Sequence, residues 1–242
     1  MPLTFYTAKV IDIIDEAPNV KRFFFCIPEL EKCNFIPGQF TMLDLPIISR
    51  QTTRAYSIAS APSETSNTFE LVIVLKEGGL GTTHLFENVK VGDTLKASVP
   101  IGKFGKPRPA AFEKELCFIC TGTGIAPFRS MVLDIINYNI PNKGITLISG
   151  SRFEKDLLYR SEMEKLQEKL PGFRYIPVLS RESSGDWKGE KGYVHEIYKQ
   201  LYAEKKEVQF YICGWKVMIL EAVENLKQMG FEKADIKYEL YD

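Results

Sequence analysis

The chain has 242 residues, 31 Lys plus Arg against 31 Asp plus Glu, and is 45% hydrophobic and 26% charged. This is the balance of one large or two ordinary globular domains, with no net charge to draw it to nucleic acid or an anionic membrane. The longest apolar runs, such as 116–120, are strand-sized and far short of a membrane span, and Met1-Pro2-Leu3-Thr4 shows neither the basic nor the apolar region of a secretory leader.

The first hundred residues read as strands and turns. Residues 5–14, 21–27, 39–45, 55–59, 69–76 and 94–99 are apolar or alternating, with recurrent β-branched and aromatic side chains. Between them lie Ala17-Pro18-Asn19, Pro37-Gly38, Gly78-Gly79, Val91-Gly92-Asp93 and Pro100-Ile101-Gly102. Six short strands at this spacing predict a six-stranded antiparallel β-barrel, a closed form without free edges. The pattern changes after 103–109. Apolar strands at 116–120, 145–149, 173–179 and 208–213 alternate with helical stretches at 127–138, 161–170, 194–202 and 217–229, and a last strand spans 236–240. Repeated strand–helix units predict a parallel α/β sheet with helices on both faces. The expected domains are 1–107 and 108–242.

Five cysteines, an odd number, form no disulfide framework and read as reduced thiols of a cytoplasmic protein. Cys117 and Cys120 make a C-x-x-C inside an apolar strand, where residues three apart face opposite sides. No second cysteine cluster is present to hold an iron–sulfur centre. His84 and His195 stand alone, so no metal site is expected.

Three segments carry candidate chemistry. Thr121-Gly122-Thr123-Gly124-Ile125-Ala126-Pro127-Phe128-Arg129 joins the first parallel strand to the first helix. Its glycines permit close backbone approach, and the helix start presents bare N–H groups to an anion such as a pyrophosphate. Pro127 takes the place of the third glycine in the usual dinucleotide fingerprint. In the barrel half, Arg54-Ala55-Tyr56-Ser57 puts Arg54 and Tyr56 on one strand face, suited to a phosphate and a planar ring. Alone, this segment reads more readily as an ordinary half-exposed strand. Gly78-Gly79-Leu80-Gly81-Thr82-Thr83 opens a short helix and could hold a second pyrophosphate or simply cap that helix.

Together with Tyr211-Ile212-Cys213-Gly214, these segments occur in the order found in the ferredoxin–NADP reductase family, which the chain resembles from about Phe5 to Tyr241. The resemblance implies an FAD-binding barrel followed by an NADP-binding α/β domain, FAD lying between them, with no fused iron–sulfur module. Tyr56 and Ser57 would hold the flavin ring, and Arg54, Leu80, Gly81 and Thr82 its phosphates. Ala55, Ile73, Val74, Leu75, Thr123 and Tyr241 complete the implied FAD contacts.

For NADP the resemblance implies a pyrophosphate on Gly122, Thr123, Gly124 and Pro127. Ser180, Arg181, Lys191 and Tyr193 match places that hold an adenosine 2′-phosphate in plant-type members. Arg181 and Lys191 would neutralise the dianion, Ser180 would donate, and Tyr193 could stack on adenine. Ser151, Arg152, Gly214 and Met218 are further implied contacts. Cys213 would lie beside the nicotinamide, Tyr241 would cover the flavin face, and Glu239 precedes it at the family's spacing. Two positions depart from the pattern: Asp242 follows the tyrosine, and Trp215 stands where a small aliphatic residue is usual.

The implied activity is hydride exchange between NADP(H) and FAD, with Ser57, Cys213, Glu239 and Tyr241 as catalytic residues and ferredoxin or flavodoxin as partner. The reductase component of a multicomponent oxygenase, a free-flavin reductase, and a flavin-carrying subunit of a larger complex are the alternatives.

Overall fold

A computed structural model describes residues 3–48, 52–204 and 207–241. The leader reading at Met1-Pro2 and the Asp242 departure fall outside them. Two compact units divide the chain: Met1–Arg108 with Ala126–Tyr138, and Pro109–Ile125 with Asn139–Asp242.

The first unit contains β1 (Phe5–Ala17), β2 (Val20–Cys26), β3 (Phe40–Asp44), β4 (Thr53–Ser57), β5 (Thr68–Val74), α1 (Leu80–Glu87) and β6 (Thr94–Ser98). The strand order is β4-β3-β6-β1-β2-β5, with every pair antiparallel. A bridge between Ile58 and Leu71, with Ala59 N–H donating to Glu70 O at 2.8 Å, joins the two outer strands and closes the barrel. Alternation produces the core: Phe23 and Phe25 point inward from β2 and meet Leu43, Ile58, Leu71 and Leu85. β1 runs beyond the expected 5–14 because it pairs with β2 as far as Ala17 opposite Val20. Asn19, at φ 59°, makes that turn in the left-handed region that asparagine tolerates.

Helix α2 (Ala126–Asn137) belongs to this unit, with Pro127 buried at its second position. Arg129 Nη1 donates to Ala59 O and to Glu70 Oε2, both at 2.9 Å, and Arg22 Nε donates to Glu70 Oε1 at 2.6 Å. Arg108 pairs with Asp134 at 2.8 Å and lies 3.2 Å from the Tyr138 ring centroid.

The second unit contains β7 (Glu115–Thr121), a 3-10 turn at Gly122–Ile125, β8 (Ile145–Ser151), α3 (Arg160–Lys169), β9 (Phe173–Leu179), β10 (Glu190–Lys191), α4 (Val194–Leu201), β11 (Val208–Gly214), α5 (Lys216–Gln228) and β12 (Ile236–Leu240). Its sheet is parallel throughout, in the order β10-β9-β8-β7-β11-β12. Successive strands run outward from β7 on one side, and the chain then returns to its other side at β11. The β7–β11 junction is therefore the topological switch point, where open α/β sheets bind ligands beyond the strand ends. Val194, Ile197 and Tyr198 of α4 and Ile219, Ala222 and Leu226 of α5 pack on Cys117, Ile119, Ile148 and Ile212. Central β7 is buried on both faces, which explains its unbroken apolar run. Cys117 belongs to this cluster and Cys120 does not, in keeping with opposite strand faces.

No helix of the described residues is long and apolar enough to cross a membrane. Among those residues no group of His, Cys, Asp or Glu is placed to hold a metal.

Candidate cofactor sites

In the first unit, the structure brings the Arg54 segment and the glycine loop together. A β-carbon on buried Gly81 would lie 3.2 Å from Arg54 Cγ and 3.0 Å from Leu45 Cδ1, so Arg54 passes directly over the start of α1. As first-turn groups, the N–H of Leu80, Gly81 and Thr82 lack intrahelical acceptors. A guanidinium beside three such donors is a fitting cradle for a diphosphate. The Thr82 hydroxyl is otherwise engaged: it accepts from Lys76 N–H and lies 3.1 Å from Gly79 O, closing the loop on itself. Burial pushes the half-buried Tyr56 hydroxyl up to about 12, against the pull of Arg54. Ser57 is buried beside it and Ala55 exposed. On β5, Ile73 is buried and Val74 exposed, and Leu75 N–H donates to Asn19 O at 2.8 Å.

In the second unit, β7 and β11 approach closely at the switch point. A β-carbon on Gly124 would lie 2.4 Å from Cys213 O, and one on Gly214 2.4 Å from Thr121 Oγ1. Gly214 also has φ 134°, which excludes other residues twice over. Trp215 N–H donates to Thr121 Oγ1 at 3.1 Å, tying the end of β11 to β7. Around Gly122 a β-carbon would meet nothing within 4 Å, so the turn is open on that side, with Thr123 half-buried beside it.

Cys213, Glu239 and Tyr241 form one group. Cys213 is the register partner of Glu239 across β11 and β12. Burial pushes its thiol well above the usual range and Glu239 adds to this, while a hydrogen bond with Tyr241 opposes it. The thiol is therefore neutral, a packing surface rather than a nucleophile. Met218, three residues into α5, is buried in the core cluster.

The remaining residues meet at the far end of the same sheet edge. Ser180 N–H donates to Ser151 O at 3.0 Å and Arg181 N–H to Arg152 O at 2.9 Å, prolonging the β8–β9 ladder past its last strand residues. Arg152 and Arg181 are thereby placed as exposed neighbours. β10 adds exposed Lys191, opposite Leu179, and Tyr193 follows with 64% of its surface exposed. The Ser180 hydroxyl lies 3.3 Å from Ser151 O.

Two residues in this corner carry no sequence expectation. Glu182 accepts from the N–H groups of Ser184 and Glu154, which hold its carboxyl below the usual range and join the two arginine-bearing loops. Trp187 is buried, donates from Nε1 to Glu190 O at 2.9 Å, and leaves no room for a side chain at Gly189. A lone tryptophan in a charged, glycine-containing segment was its only trace in the sequence.

Residues 7–105 match the oxidoreductase FAD-binding domain family and residues 118–224 the oxidoreductase NAD-binding domain family. The chain is 34% identical over 239 residues to the phenol hydroxylase P5 protein of Acinetobacter pittii (strain PHEA-2), covering 98% of this chain but only 65% of that protein. It is 32% identical over 248 residues to ferredoxin–NADP reductase B of Sorangium cellulosum (strain So ce56), covering 98% of each. The structure of a ferredoxin NADP+ reductase from Neisseria gonorrhoeae with bound FAD and NADP matches with a TM-score of 0.79 at 26% identity, over 98% of both chains.

A closed antiparallel barrel and a parallel sheet with an open glycine turn at its switch point define a flavin-dependent oxidoreductase that uses a nicotinamide dinucleotide. The chain belongs to the ferredoxin–NADP reductase family.

Proposed function

We propose that this protein exchanges electrons between NADP(H) and a small one-electron carrier, ferredoxin or flavodoxin, in the cytoplasm. Residues 1–107 serve FAD and 108–242 the dinucleotide. The carrying observation is the order of groups along one sheet edge. Arg152, Arg181 and Lys191 stand at β8–β10, the glycine turn at β7, and the Cys213 group at β11–β12. Neighbouring strands lie about 4.8 Å apart, so β9 to β11 spans roughly 14 Å, the scale of an extended dinucleotide.

Bound FAD supplies the redox chemistry, accepting electrons in pairs and releasing them singly. Arg54 and the first turn of α1 hold its diphosphate, while Tyr56 and Ser57 hold the ring. Arg181, Arg152, Lys191 and Ser180 select the 2′-phosphate, Tyr193 offers a face for adenine, and Gly122–Gly124 receive the pyrophosphate. Tyr241 occupies the nicotinamide position and yields it, and Cys213 with Glu239 packs and orients the ring.

Of the two carriers, ferredoxin is favoured by similarity to ferredoxin–NADP reductase B over nearly the full length of both chains. The second reading, reductase component of an oxygenase, is supported by 32% identity over 242 residues to the phenol 2-monooxygenase reductase component DmpP of Pseudomonas sp. (strain CF600). Steady-state rates with NADPH and NADH test the proposal, first with ferricyanide and then with ferredoxin, flavodoxin or an oxygenase component. NADPH-driven reduction of ferredoxin or flavodoxin supports it. Reduction of the oxygenase component alone selects the second reading. A protein that sheds its flavin yet reduces added FMN is a flavin reductase, and one with no turnover is a bound subunit.

A further inference from the structure

The parallel sheet of the second unit ends on two unlike edges. β10 is two residues long, and so short an edge gives another chain little to pair with. β12 runs five residues, Ile236-Lys237-Tyr238-Glu239-Leu240, with no proline, glycine or register shift to blunt it. Among the described residues no strand pairs with its outer side. By residue class the strand reads the same in both directions: apolar, charged, aromatic, charged, apolar, with the two charges of opposite sign. Ile236 packs in one cluster with Ile219 and Ala222 of α5, so by alternation Tyr238 and Leu240 share the α5 face. They are nonetheless 48% and 38% exposed. His195 and Tyr198 of α4 reach Glu221 and Asn225 of α5. Leu220, also exposed, therefore lies on the flank of α5 turned away from α4, where the helix packs on β12.

We propose that β12 is a self-association edge, pairing antiparallel with β12 of a second copy of this chain about a two-fold axis at Tyr238. In that register Tyr238 lies opposite Tyr238 of the second copy, Ile236 opposite its Leu240, and Lys237 opposite its Glu239. A two-fold contact demands this self-complementarity, since one patch must fit itself. Opposed side chains on one face stand about 4.5–5.5 Å apart at Cβ, so both Lys–Glu pairs are within reach. Lys237 keeps its donation to Tyr211 Oη at 3.2 Å, because an ammonium carries three donors. A parallel pairing in register would oppose like charges instead. The axis stands perpendicular to the sheet, so α5 of the second copy lies on the same face. Leu220, Tyr238 and Leu240 of the two copies then close over the seam. Burial of this apolar strip drives the contact, and the ladder hydrogen bonds fix its direction.

The test uses the flavin-loaded full chain in sedimentation velocity over a rising series of protein concentrations, where the mass should climb from one chain to two. Tyr238→Lys sets like charges against each other on the axis and should leave a single chain throughout the series. Lys237→Glu should weaken the dimer about tenfold. Adding Glu239→Lys to that variant should restore it, since each strand again faces opposite charge, a rescue that damage to the fold does not give. Cross-linking reads the register. Tyr238→Cys treated with diamide should form an intermolecular disulfide, because opposed Cα atoms fall within the reach of about 4.4–6.8 Å that the bond needs. Leu240→Cys should not, because this register holds the two copies of that position about 14 Å apart. A wild type that stays a single chain at every concentration overturns the inference. So does a dimer that survives Tyr238→Lys, or one that cross-links equally well through Leu240→Cys, since either places the contact elsewhere.

Discussion

Arg54 crosses Gly81 so closely that a β-carbon there would stand 3.2 Å from its Cγ. Residues 27 positions apart thus converge at the start of α1, the proposed diphosphate cradle. Arg54→Ala should weaken FAD binding about ten- to a hundredfold, the worth of a charge-assisted contact. Gly81→Val should act in the same direction by displacing the guanidinium. Flavin retained after dialysis, followed by titration of the apoprotein, measures both. Full retention in both variants would remove the diphosphate from this cradle.

Arg181→Ala should erode preference for the phosphorylated cofactor, because only NADPH carries the 2′-phosphate it is proposed to pair with. Efficiency with NADPH should fall about ten- to a hundredfold while that with NADH stays level. Paired kcat/KM measurements decide. Equal losses would show that Arg181, bonded through its N–H to Arg152 O, serves loop geometry alone.

Tyr241 is hydrogen-bonded to Cys213, and in the proposed arrangement it stands where the nicotinamide would bind. Its removal takes away a competitor. Tyr241→Ser should bind NADP⁺ more tightly, discriminate less against NADH, and turn over more slowly as release becomes limiting. The flavin absorption band should shift as well. Titration with NADP⁺ showing wild-type affinity and spectrum would place Tyr241 away from the ring.

Buried thiols give stability an alkaline limit. Burial raises Cys33 to about 11 and Cys120 to about 12 from an ordinary 9.0. In the unfolded chain both ionise near 9, whereas in the fold they stay protonated, so their contribution is intact below pH 9 and is lost as pH rises toward 11–12. By pH 10 each withdraws about 1.4 kcal/mol. Urea denaturation from pH 7 to 11 should show a plateau and then a decline, shallower in Cys33→Ala. A flat profile through pH 10.5 would contradict the assignment.

Local chemistry made much of this molecule legible. Period-two patterns located every barrel strand, and alternation of apolar strands with helices located the parallel sheet. Glycine-rich turns marked the strand-to-helix turn after β7 and the start of α1, because the backbone conformation they need is itself local. Contacts between distant residues were not legible. The order β10-β9-β8-β7-β11-β12 depends on where the chain crosses over, and β10 is only two residues long. The bond from Trp215 to Thr121 spans 94 positions, and neither residue type announces it. The same holds for Arg129, whose partner Glu70 lies 59 residues earlier on β5. Helix α2 was expected with the second half for that reason.

That pairing bears on how the chain is made. Synthesis runs from the N-terminus, and domains ordinarily begin to fold as they emerge. Here all six barrel strands are complete by Ser98, but the first unit lacks its last part until Tyr138 has left the ribosome. In the interval Ala59 O and Glu70 go without the donors that Arg129 brings, and β7 has already passed. A fragment cut after Arg108 would be frozen in that interval. The two units are thus interleaved in time: the first strand of the second is translated before the last helix of the first.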